Sequence, residues 1–388
     1  MVTGGQYKPL IDDMIGRIHE TSLRVLEEIG IEVKHPEALE LFEKGGASVD
    51  GEKNLVRIPS RIVETGIQSA PSCITLCGRE EAHDMQLEHL RVHMGTGGAA
   101  LNVIDPETNN KRPGTLQDIA RFARLADGLE NIDFFIRPCT AQDVALEILG
   151  INEFYAAVTN TSKHVMGTGY TLEGTMDVIR MAEMISGSAE KLRERPFISF
   201  TAGCLKSPLA FDPEMIDMLR FIVEKGIPVA LSSAPMAGAT APVTMAGTLT
   251  LLHAEELAGI VFTQLVNPGA PVLYGGIPGM ADMHDLSYRA GGVEFGLMNA
   301  AISQLSDYIH IPNYCSAGIT EANIPGMQAI YEKTFSICQC ALAGSNYIHH
   351  AAGVLESILT VEYGQFVIDN EIIGMAMKMI QGIEVDED

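Results

Sequence analysis

The motif MGTG occupies residues 94–97 and returns at residues 166–169, where it completes the stretch HVMGTG that begins at His164. This stretch has the pattern of a short buried strand, because an apolar run stops at glycine and threonine. Residues with helical periodicity follow it, and the same order recurs from Val92 to the end of the chain. The sequence therefore indicates a series of strand-plus-helix units.

Eight such runs can be identified, and their starts are separated by roughly 31 to 43 residues, the length of one strand-plus-helix unit. The predicted strands are Val92–Gly95, Ile132–Pro138, His164–Thr168, Phe197–Ala202, Pro228–Ser232, Pro271–Gly275, Pro312–Ser316 and Asn346–His350. Alternating strands and helices would also fit an open doubly wound sheet. The count of eight favours closure, so we predict an α/β fold with a (β/α)₈ TIM barrel over residues 91–388.

The first ninety residues have a different pattern. Apolar residues at helical spacing predict a helix over residues 12–29 that ends at Gly30, and a second short helix over residues 38–42. Leu55–Ile58 and Ile74–Cys77 are predicted strands on either side of a helix that begins near Pro59. We therefore predict a small α+β region over residues 1–90.

Composition narrows the possible functions. The 388 residues include 26 basic and 50 acidic side chains, giving a net charge of −24. Such a surface repels nucleic acid and anionic membranes and suits a cationic small molecule. The N-terminus lacks the apolar core of a signal peptide, and no apolar run reaches 18 residues. We expect a cytoplasmic protein that forms a homo-oligomer, as soluble enzymes of this size often do.

The cysteines and histidines do not form a recognisable metal-binding pattern. Seven scattered cysteines favour reduced, buried thiols over a disulfide framework. A metal-dependent barrel lyase or hydrolase would draw its ligands from among His93, His164, His349 and His350, but no His-x-His pair with a carboxylate cluster accompanies them. We therefore expect no bound metal and keep this class as a minor alternative.

In a TIM barrel the active site lies at the carboxyl ends of the strands, and these ends are rich in small, hydroxylic and aromatic residues. Tyr274 and Tyr314 fit either the core or a wall that faces a cation. Arg137 fits either a helix cap or a clamp for a carboxylate. His349 and His350 alternate along a strand, so at most one of them faces the lumen.

Two further features have simple structural interpretations. The glycines of residues 95–98 lack the spacing of a dinucleotide-binding motif, so tight turns are favoured over phosphate binding. The residues Asp369, Asn370 and Glu371 fall in a late stretch with an apolar stripe, and we interpret them as a helix surface.

Four long stretches of the chain carry a family resemblance. They are IHETSLRVLEEIGIEV (residues 18–33), APVTMAGTLTLLHAEELAGIVFTQLVNPGAPVLYGG (241–276), NYIHHAAGVLES (346–357) and QFVIDNEIIGMAMK (365–378). Together with the MGTG turn at Met94, they resemble the trimethylamine methyltransferase family over nearly the whole chain.

The resemblance implies a (β/α)₈ barrel that passes a substrate methyl group to the cobalt of a separate corrinoid protein. One branch of that family carries pyrrolysine on a loop after the seventh strand. Aligning SAGITEANIPG, residues 316–326, places Ile319 near that position. The chain is therefore similar to the branch without pyrrolysine, whose members demethylate quaternary amines such as glycine betaine, proline betaine or carnitine. Family members usually continue beyond such a segment, which bears on where the corrinoid protein docks.

The chemistry of that reaction suits the residues at the strand ends. A quaternary ammonium has no lone pair and no N–H proton, so a strong nucleophile such as Co(I) must attack its methyl carbon, and the amine leaves uncharged. The protein then has to desolvate and align the substrate. We expect no tightly bound cofactor, because the corrinoid (cobalamin) comes with the partner protein. A non-catalytic betaine-binding protein is the second alternative.

These considerations assign roles to three groups of residues. The expected ammonium-facing wall consists of Tyr274, Tyr314, Tyr347 and Phe135. Arg137 and one of His349 and His350 are expected to hold the carboxylate or hydroxyl of the substrate. The residues expected to face the corrinoid are Gly95, Thr96, Gly97, Gly98, Gly275 and Gly276.

Overall fold

The computed structural model describes residues 3–383 and residue 385, and its centre is a barrel of eight parallel strands. The strands are β1 (His93–Met94), β2 (Phe134–Ile136), β3 (His164–Thr168), β4 (Ile198–Thr201), β5 (Val229–Ala230), β6 (Val272–Gly275), β7 (Asn313–Ser316) and β8 (Tyr347–His349). Neighbours in sequence are neighbours in the sheet, and β8 pairs with β1. A parallel bridge between Gly95 and Phe134 joins β1 to β2. The predicted (β/α)₈ barrel is confirmed.

One long helix follows each strand. These helices are α1 (Leu116–Gly128), α2 (Leu146–Val158), α3 (Leu172–Ser186), α4 (Pro213–Glu224), α5 (Met245–Val266), α6 (Val293–Ile309), α7 (Met327–Ala343) and α8 (Tyr363–Gln381). Local sequence fixes several of their starts. Thr115 and Asp118 form a reciprocal capping box before α1. Asp212 caps α4, whose first residue is Pro213.

Helix α5 is apolar on all sides. Within the described chain it is the helix whose length and composition would allow it to cross a bilayer. However, 83% of its 18-residue apolar segment is buried inside the protein. It packs on β6 and under the N-terminal helices. A helix that is apolar all round and covered on both faces is a core helix.

Side chains of the barrel strands alternate between the lumen and the layer under the helices. The lumen is filled by Phe134, Ile136, Met166, Ala230, Leu273, Tyr314 and Tyr347. An antiparallel hairpin of Cys73–Leu76 and Met85–Glu88 closes the amino-terminal end of the barrel, because its apolar side chains join this same cluster. The other end, where the strands finish, is the mouth.

The N-terminal residues pack onto the barrel. Helix Asp12–Arg24 continues as a π-helical turn, Val25–Ile29, and stops at Gly30, whose φ of 92° suits glycine. The other N-terminal helices and strands are Pro36–Lys44, Ser60–Ser69, Ile31–Val33, Ser48–Asp50 and Leu55–Arg57. The three strands share a sheet with a hairpin of the loop after β4, Leu205–Lys206 and Ala210–Phe211. This α+β region is therefore joined to the barrel by a common sheet.

Two small sheets frame the mouth. Asn102–Ile104 and Lys111–Pro113, after β1, pair with Thr360–Glu362 and Val354–Leu355, after β8. Met236–Ala237, after β5, pairs with the hairpin of Gly279–Ala281 and Tyr288–Arg289 after β6. The remaining short helices are Glu81–His83, Ala189–Glu194 and Glu356–Ile358.

Candidate active site

His349 is the last residue of β8 and points into the lumen above Tyr347. Its Nδ1 atom shares a hydrogen bond with the hydroxyl of Tyr314 on β7. Burial, followed by the nearby charge of Arg137, lowers the pKa of His349 to about 3. The ring is therefore a neutral hydrogen-bonding group at physiological pH. A Cβ on Gly97 would lie 2.0 Å from its Cδ2 atom, which requires glycine at that position.

Arg137 follows β2 and is held beside the mouth by a buried carboxylate. Its Nε atom lies 2.8 Å from Oε2 of Glu153 on α2, and its guanidinium lies 5.3 Å from the centre of the Tyr170 ring. Glu153 also accepts hydrogen bonds from the Tyr170 hydroxyl and the Ala141 amide. The Arg137 side chain keeps 10% of its exposure, so its charge is fixed in place at the rim.

The rest of the rim is hydroxylic and tightly packed. The hydroxyls of Thr168 on β3 and Thr201 on β4 are 2.8 Å apart. A cavity of about 10 Å³, beside Arg137 and Thr168, offers room for a single water. A larger cavity, about 400 Å³, is remote from the mouth and lies between helix Pro36–Lys44, α4 and α5.

An aromatic floor lies below this rim. The Tyr347 ring stacks on Phe134 with centroids 3.6 Å apart, and Tyr314 lies 6.1 Å from Tyr347. Among the described residues, the buried Tyr347 hydroxyl finds no hydrogen-bond partner. Tyr314 and Tyr347 are thus the two predicted wall tyrosines that face the lumen.

Tyr274 and Phe135 point the other way, so their predicted place in the wall does not hold. Tyr274 lies under α5, where its hydroxyl hydrogen-bonds Nδ1 of His253 at 2.8 Å. Phe135 belongs to the core between the barrel and the helices. Neighbouring residues of a strand face opposite sides, and Phe134 and Leu273 take the lumen positions instead.

His350 leaves the lumen as the chain turns. Its φ is 68°, and its Nδ1 atom hydrogen-bonds the Ser316 hydroxyl at 2.7 Å. The ring stacks against that of His349, with centroids 3.3 Å apart. Of the two predicted histidines, His349 faces the mouth and His350 supports it from the side.

The predicted corrinoid-facing residues are mostly buried by their own chain. A Cβ would collide with the Phe134 ring at Gly95, with the Tyr314 carbonyl at Gly275 and with the Ser233 carbonyl at Gly276. Residues 95–98 follow β1, whereas Gly275 and Gly276 lie at the end of β6, so the set is divided between two parts of the mouth. Gly98 is partly exposed, and the other five residues are buried: Gly95, Thr96, Gly97, Gly275 and Gly276. Internal close packing accounts for these glycines, in agreement with their interpretation as turns.

Ile319 does not face the mouth either. It is fully buried in a small apolar cluster with Ala290, Phe295 and Val354. This cluster joins the loops after β6, β7 and β8. An aliphatic side chain at this position therefore holds three mouth loops together.

The four histidines of the metal-dependent alternative are not brought together. His164 hydrogen-bonds the Ser199 hydroxyl at 2.7 Å and the Cys77 carbonyl at 2.9 Å, at the amino end of the strands. His93 lies at that same end, 3.7 Å from Asp133. Across residues 3–383 and residue 385, no group of three or more His, Cys, Asp or Glu side chains has the arrangement of a metal site.

The interpretation of residues 369–371 as a helix surface is wrong for Asp369 and Asn370, which are both buried; Glu371 is exposed. The Asp369 carboxylate is fully buried and lies 3.0 Å from the ammonium of Lys333. Lys333 also donates to the Gly318 carbonyl at 2.6 Å, and Asp369 accepts from the Gly353 amide at 2.7 Å. This ion pair ties α7 and α8 to the loops on either side of the two histidines.

The sequence analysis also did not identify Glu255 and Glu256, two adjacent buried glutamates on α5. Glu256 accepts the backbone N–H groups of Ser233 and Gly275, both at 2.9 Å. Glu255 accepts from the Leu209 amide at 2.9 Å, and from the hydroxyls of Ser207 and Ser233. The available signal was a pair of acids inside the apolar run LLHAEELAGIVF.

Comparison with known proteins agrees with this architecture. The trimethylamine methyltransferase (MTTB) family model matches residues 2–388. The chain is 37% identical to a trimethylamine methyltransferase of Desulfitobacterium hafniense over 97% of this chain and 76% of that protein. It is 32% identical to a glycine betaine methyltransferase of the same species over 99% and 79%.

A solved structure is similar in fold. The monomethylamine methyltransferase of Methanosarcina barkeri superposes with a TM-score of 0.58 over 98% of this chain and 83% of that one, at 12% identity. At that identity the likeness concerns the fold alone. The match to the family model and the two Desulfitobacterium relatives establish that the chain belongs to the trimethylamine methyltransferase family.

Proposed function

We propose that this protein is a cytoplasmic enzyme that moves a methyl group from a betaine-type quaternary amine to the Co(I) of a cognate corrinoid protein. The observation that carries the proposal is the chemistry of the mouth. It combines one fixed cation, Arg137, with a neutral imidazole, His349, and two lumen-facing tyrosines, Tyr314 and Tyr347. These are groups that hold and orient a zwitterion.

The mouth is poorly equipped to attack or protonate a substrate. The pKa of His349 is lowered to about 3, so this ring is a poor general acid or base near pH 7. Burial raises the pKa of the Cys139 and Cys204 thiols above its usual range, which keeps them from acting as thiolates. Because the nucleophile comes from outside the protein and the amine leaves uncharged, the reaction needs neither a protein nucleophile nor a general acid or base. When the partner is bound, its corrinoid supplies that nucleophile.

Arg137 and His349 then hold the substrate carboxylate, since Arg137 can donate charge-assisted hydrogen bonds from a position fixed by Glu153. Tyr314 and Tyr347, stacked with Phe134, form the aromatic floor beneath the ammonium. The cavity beside Arg137 holds about 10 Å³, so admission of a betaine requires rearrangement of the side chains or loops at the mouth. A dry, aligned site of this kind lowers the entropic cost of the transfer.

The test offers glycine betaine, proline betaine, carnitine and trimethylamine as methyl donors to cob(I)alamin or a corrinoid protein. The absorbance of the corrinoid reports methyl transfer. We expect transfer from at least one quaternary amine, with an Arg137→Met variant raising KM about tenfold or more, about 1.4 kcal/mol. Tyr274→Phe is the matched control, because that hydroxyl lies outside the barrel. Activity on trimethylamine alone would refute the quaternary-amine assignment. Betaine binding without transfer to any Co(I) acceptor would favour the non-catalytic binding protein.

A further inference from the structure

The buried carboxylates of this protein fall into two groups. Among the described residues, Asp118, Glu153 and Asp369 each form an ion pair with a basic side chain, namely Arg112, Arg137 and Lys333. Glu255 and Glu256 are fully buried and form no such pair in the described part of the chain.

The basic residue Lys206 does not neutralise the charge of Glu255 or Glu256. Lys206 precedes Ser207, whose hydroxyl Glu255 binds, but its side chain is 64% exposed and pairs with Asp212 at 2.7 Å. The partners of both carboxylates are backbone N–H groups and serine hydroxyls. Both oxygens of Glu256 accept N–H groups, which stabilise its ionised form in part but supply no positive charge.

The pair lies directly behind one side of the mouth. Glu256 binds the amides of Ser233, after β5, and Gly275, the last residue of β6. The wall is thin here, because Gly275 and Gly276 have no side chains. When Glu256 is ionised, its charge acts on the lumen, where it adds to the effect of burial in raising the pKa of Tyr314.

Arg137 and His349 occupy the opposite side. They follow β2 and β8, the two neighbours of β1, and β5 lies across the barrel from β1. The two sides of the mouth therefore differ: the guanidinium of Arg137, backed by the Glu153 carboxylate, lies at the β8–β2 side, and two carboxylates with no cationic partner among the described residues lie behind the β5–β6 side. A zwitterion that places its carboxylate at Arg137 directs its cationic end towards Glu255 and Glu256.

We propose that Glu255 and Glu256 form the anionic pole of the substrate site, and that the quaternary ammonium of the substrate is their missing counter-charge. This inference rests on the proposed function for the identity of the cation. The two glutamates act through the barrel wall and are specificity-determining residues, so they need no contact with the reacting methyl group.

In the free protein a proton takes the place of that cation. Burial raises the pKa of Glu256 to about 8, and that of Glu255 also rises above its usual value. Binding of an ammonium then converts the Glu256 carboxylic acid to a carboxylate and releases one proton to the buffer. The titratable groups around the pair are all kept neutral by burial, and they are His253 of α5, Tyr274 of β6, Tyr314 of β7 and Cys204 of the loop after β4.

The experiment compares two ligands of the same shape by titration calorimetry on the full chain. Glycine betaine carries the ammonium, and 3,3-dimethylbutanoate replaces its nitrogen by carbon while keeping the carboxylate. We expect Glu256→Gln and Glu255→Gln to weaken betaine binding about tenfold, about 1.4 kcal/mol, and to change isostere binding less than about twofold. Asp118→Asn removes a buried carboxylate elsewhere and should change neither affinity.

Proton release on binding distinguishes the proposed role of Glu255 and Glu256 from a purely structural one, because structural residues would not release a proton when betaine binds. Wild-type protein at pH 7 should release a proton on binding betaine, seen as a dependence of the heat on buffer ionisation enthalpy, and none on binding the isostere. Equal affinity of the wild type for both ligands, or betaine binding without proton release, would overturn the inference even if the glutamine variants fail to fold. An equal loss for both ligands in the variants would do the same.

The proposed function and this inference can fail separately. Betaine binding with these signatures but no methyl transfer would refute the function and leave the anionic pole intact. Methyl transfer by a Glu256→Gln variant that keeps the affinity for betaine would refute the anionic pole alone. No binding of betaine, carnitine or tetramethylammonium would refute both.

Discussion

Replacing Lys333 by Met leaves the Asp369 carboxylate without its cation between α7 and α8. Both side chains are fully buried, and Nζ and Oδ2 are 3.0 Å apart. Removing one partner of a buried ion pair costs about 3–5 kcal/mol, because the remaining charge stays desolvated. The Gly318 carbonyl also loses the hydrogen bond that it accepts from Lys333. We expect the free energy of unfolding to fall by about 3–5 kcal/mol.

Removing both charges should cost less than the two single changes together. In Lys333→Met/Asp369→Leu no charge remains buried, although the Gly318 carbonyl and the Gly353 amide lose their partners. The sum of the single effects should exceed the double effect by about 2 kcal/mol, the coupling expected for residues in direct contact. The protein contains no tryptophan, so urea unfolding is best followed by far-UV circular dichroism.

A surface pair provides the control for that measurement. Lys225 and Glu183 are 3.7 Å apart with side chains 42% and 25% exposed. Lys225→Met should therefore change the free energy of unfolding by less than about 1 kcal/mol. Additive effects at Lys333 and Asp369, or a single effect as small as that of Lys225→Met, would refute the reasoning that the buried charges stabilise the loops beside His349 and His350.

Three further expectations concern the site and its surroundings. Gly97→Ala would place a methyl 2.0 Å from the His349 ring, so we expect KM for betaine to rise about tenfold or more. Gly128→Ala is the control, because a methyl there meets nothing within 4 Å, and it should leave KM unchanged. Tyr274→Phe should leave methyl transfer intact but lower the free energy of unfolding by about 1–2 kcal/mol, because His253 loses its buried partner; a loss of activity would return Tyr274 to the site. The pKa of His164 is lowered to about 4, so the unfolded chain binds more protons below pH 6.5, and stability should fall by about 2 kcal/mol between pH 7 and pH 5 from this group. A His164→Asn variant that shows the same pH dependence of its urea midpoint would contradict the last expectation.

The barrel could be predicted because its signals are local. Each strand is a short apolar run that ends at small or turn-forming residues, and counting the runs is enough to favour closure. The predicted strands cover all eight observed ones, and His164–Thr168 has the predicted bounds. The other seven observed strands are shorter, since hydrogen bonding ends where the tilted strands diverge. The starts of α1 and α4 carry signals of the same local kind, the Thr115 capping box and Pro213, although the sequence analysis did not use them.

The orientation of the tyrosines could not be predicted in this way. Strands buried on both faces are apolar on both faces, so alternation separates Leu273 from Tyr274 without telling which of them faces the lumen. The answer depends on register between strands. Tyr274 lies opposite Asn313, and Gly275 lies opposite Tyr314, so the two tyrosines point to opposite sides of the wall.

The burial of Asp369 could not be predicted from the sequence, whereas that of Glu255 and Glu256 could have been. An acidic residue on a helix is usually solvated, and Asp369 is buried because Lys333, 36 residues away, reaches it. Glu255 and Glu256 are consecutive, so on a helix their side chains point about 100° apart. Both can be buried together where the helix is covered over most of its circumference. The apolar composition of Met245–Val266 predicts that coverage, and two acids within such a helix therefore indicate a purpose for buried negative charge.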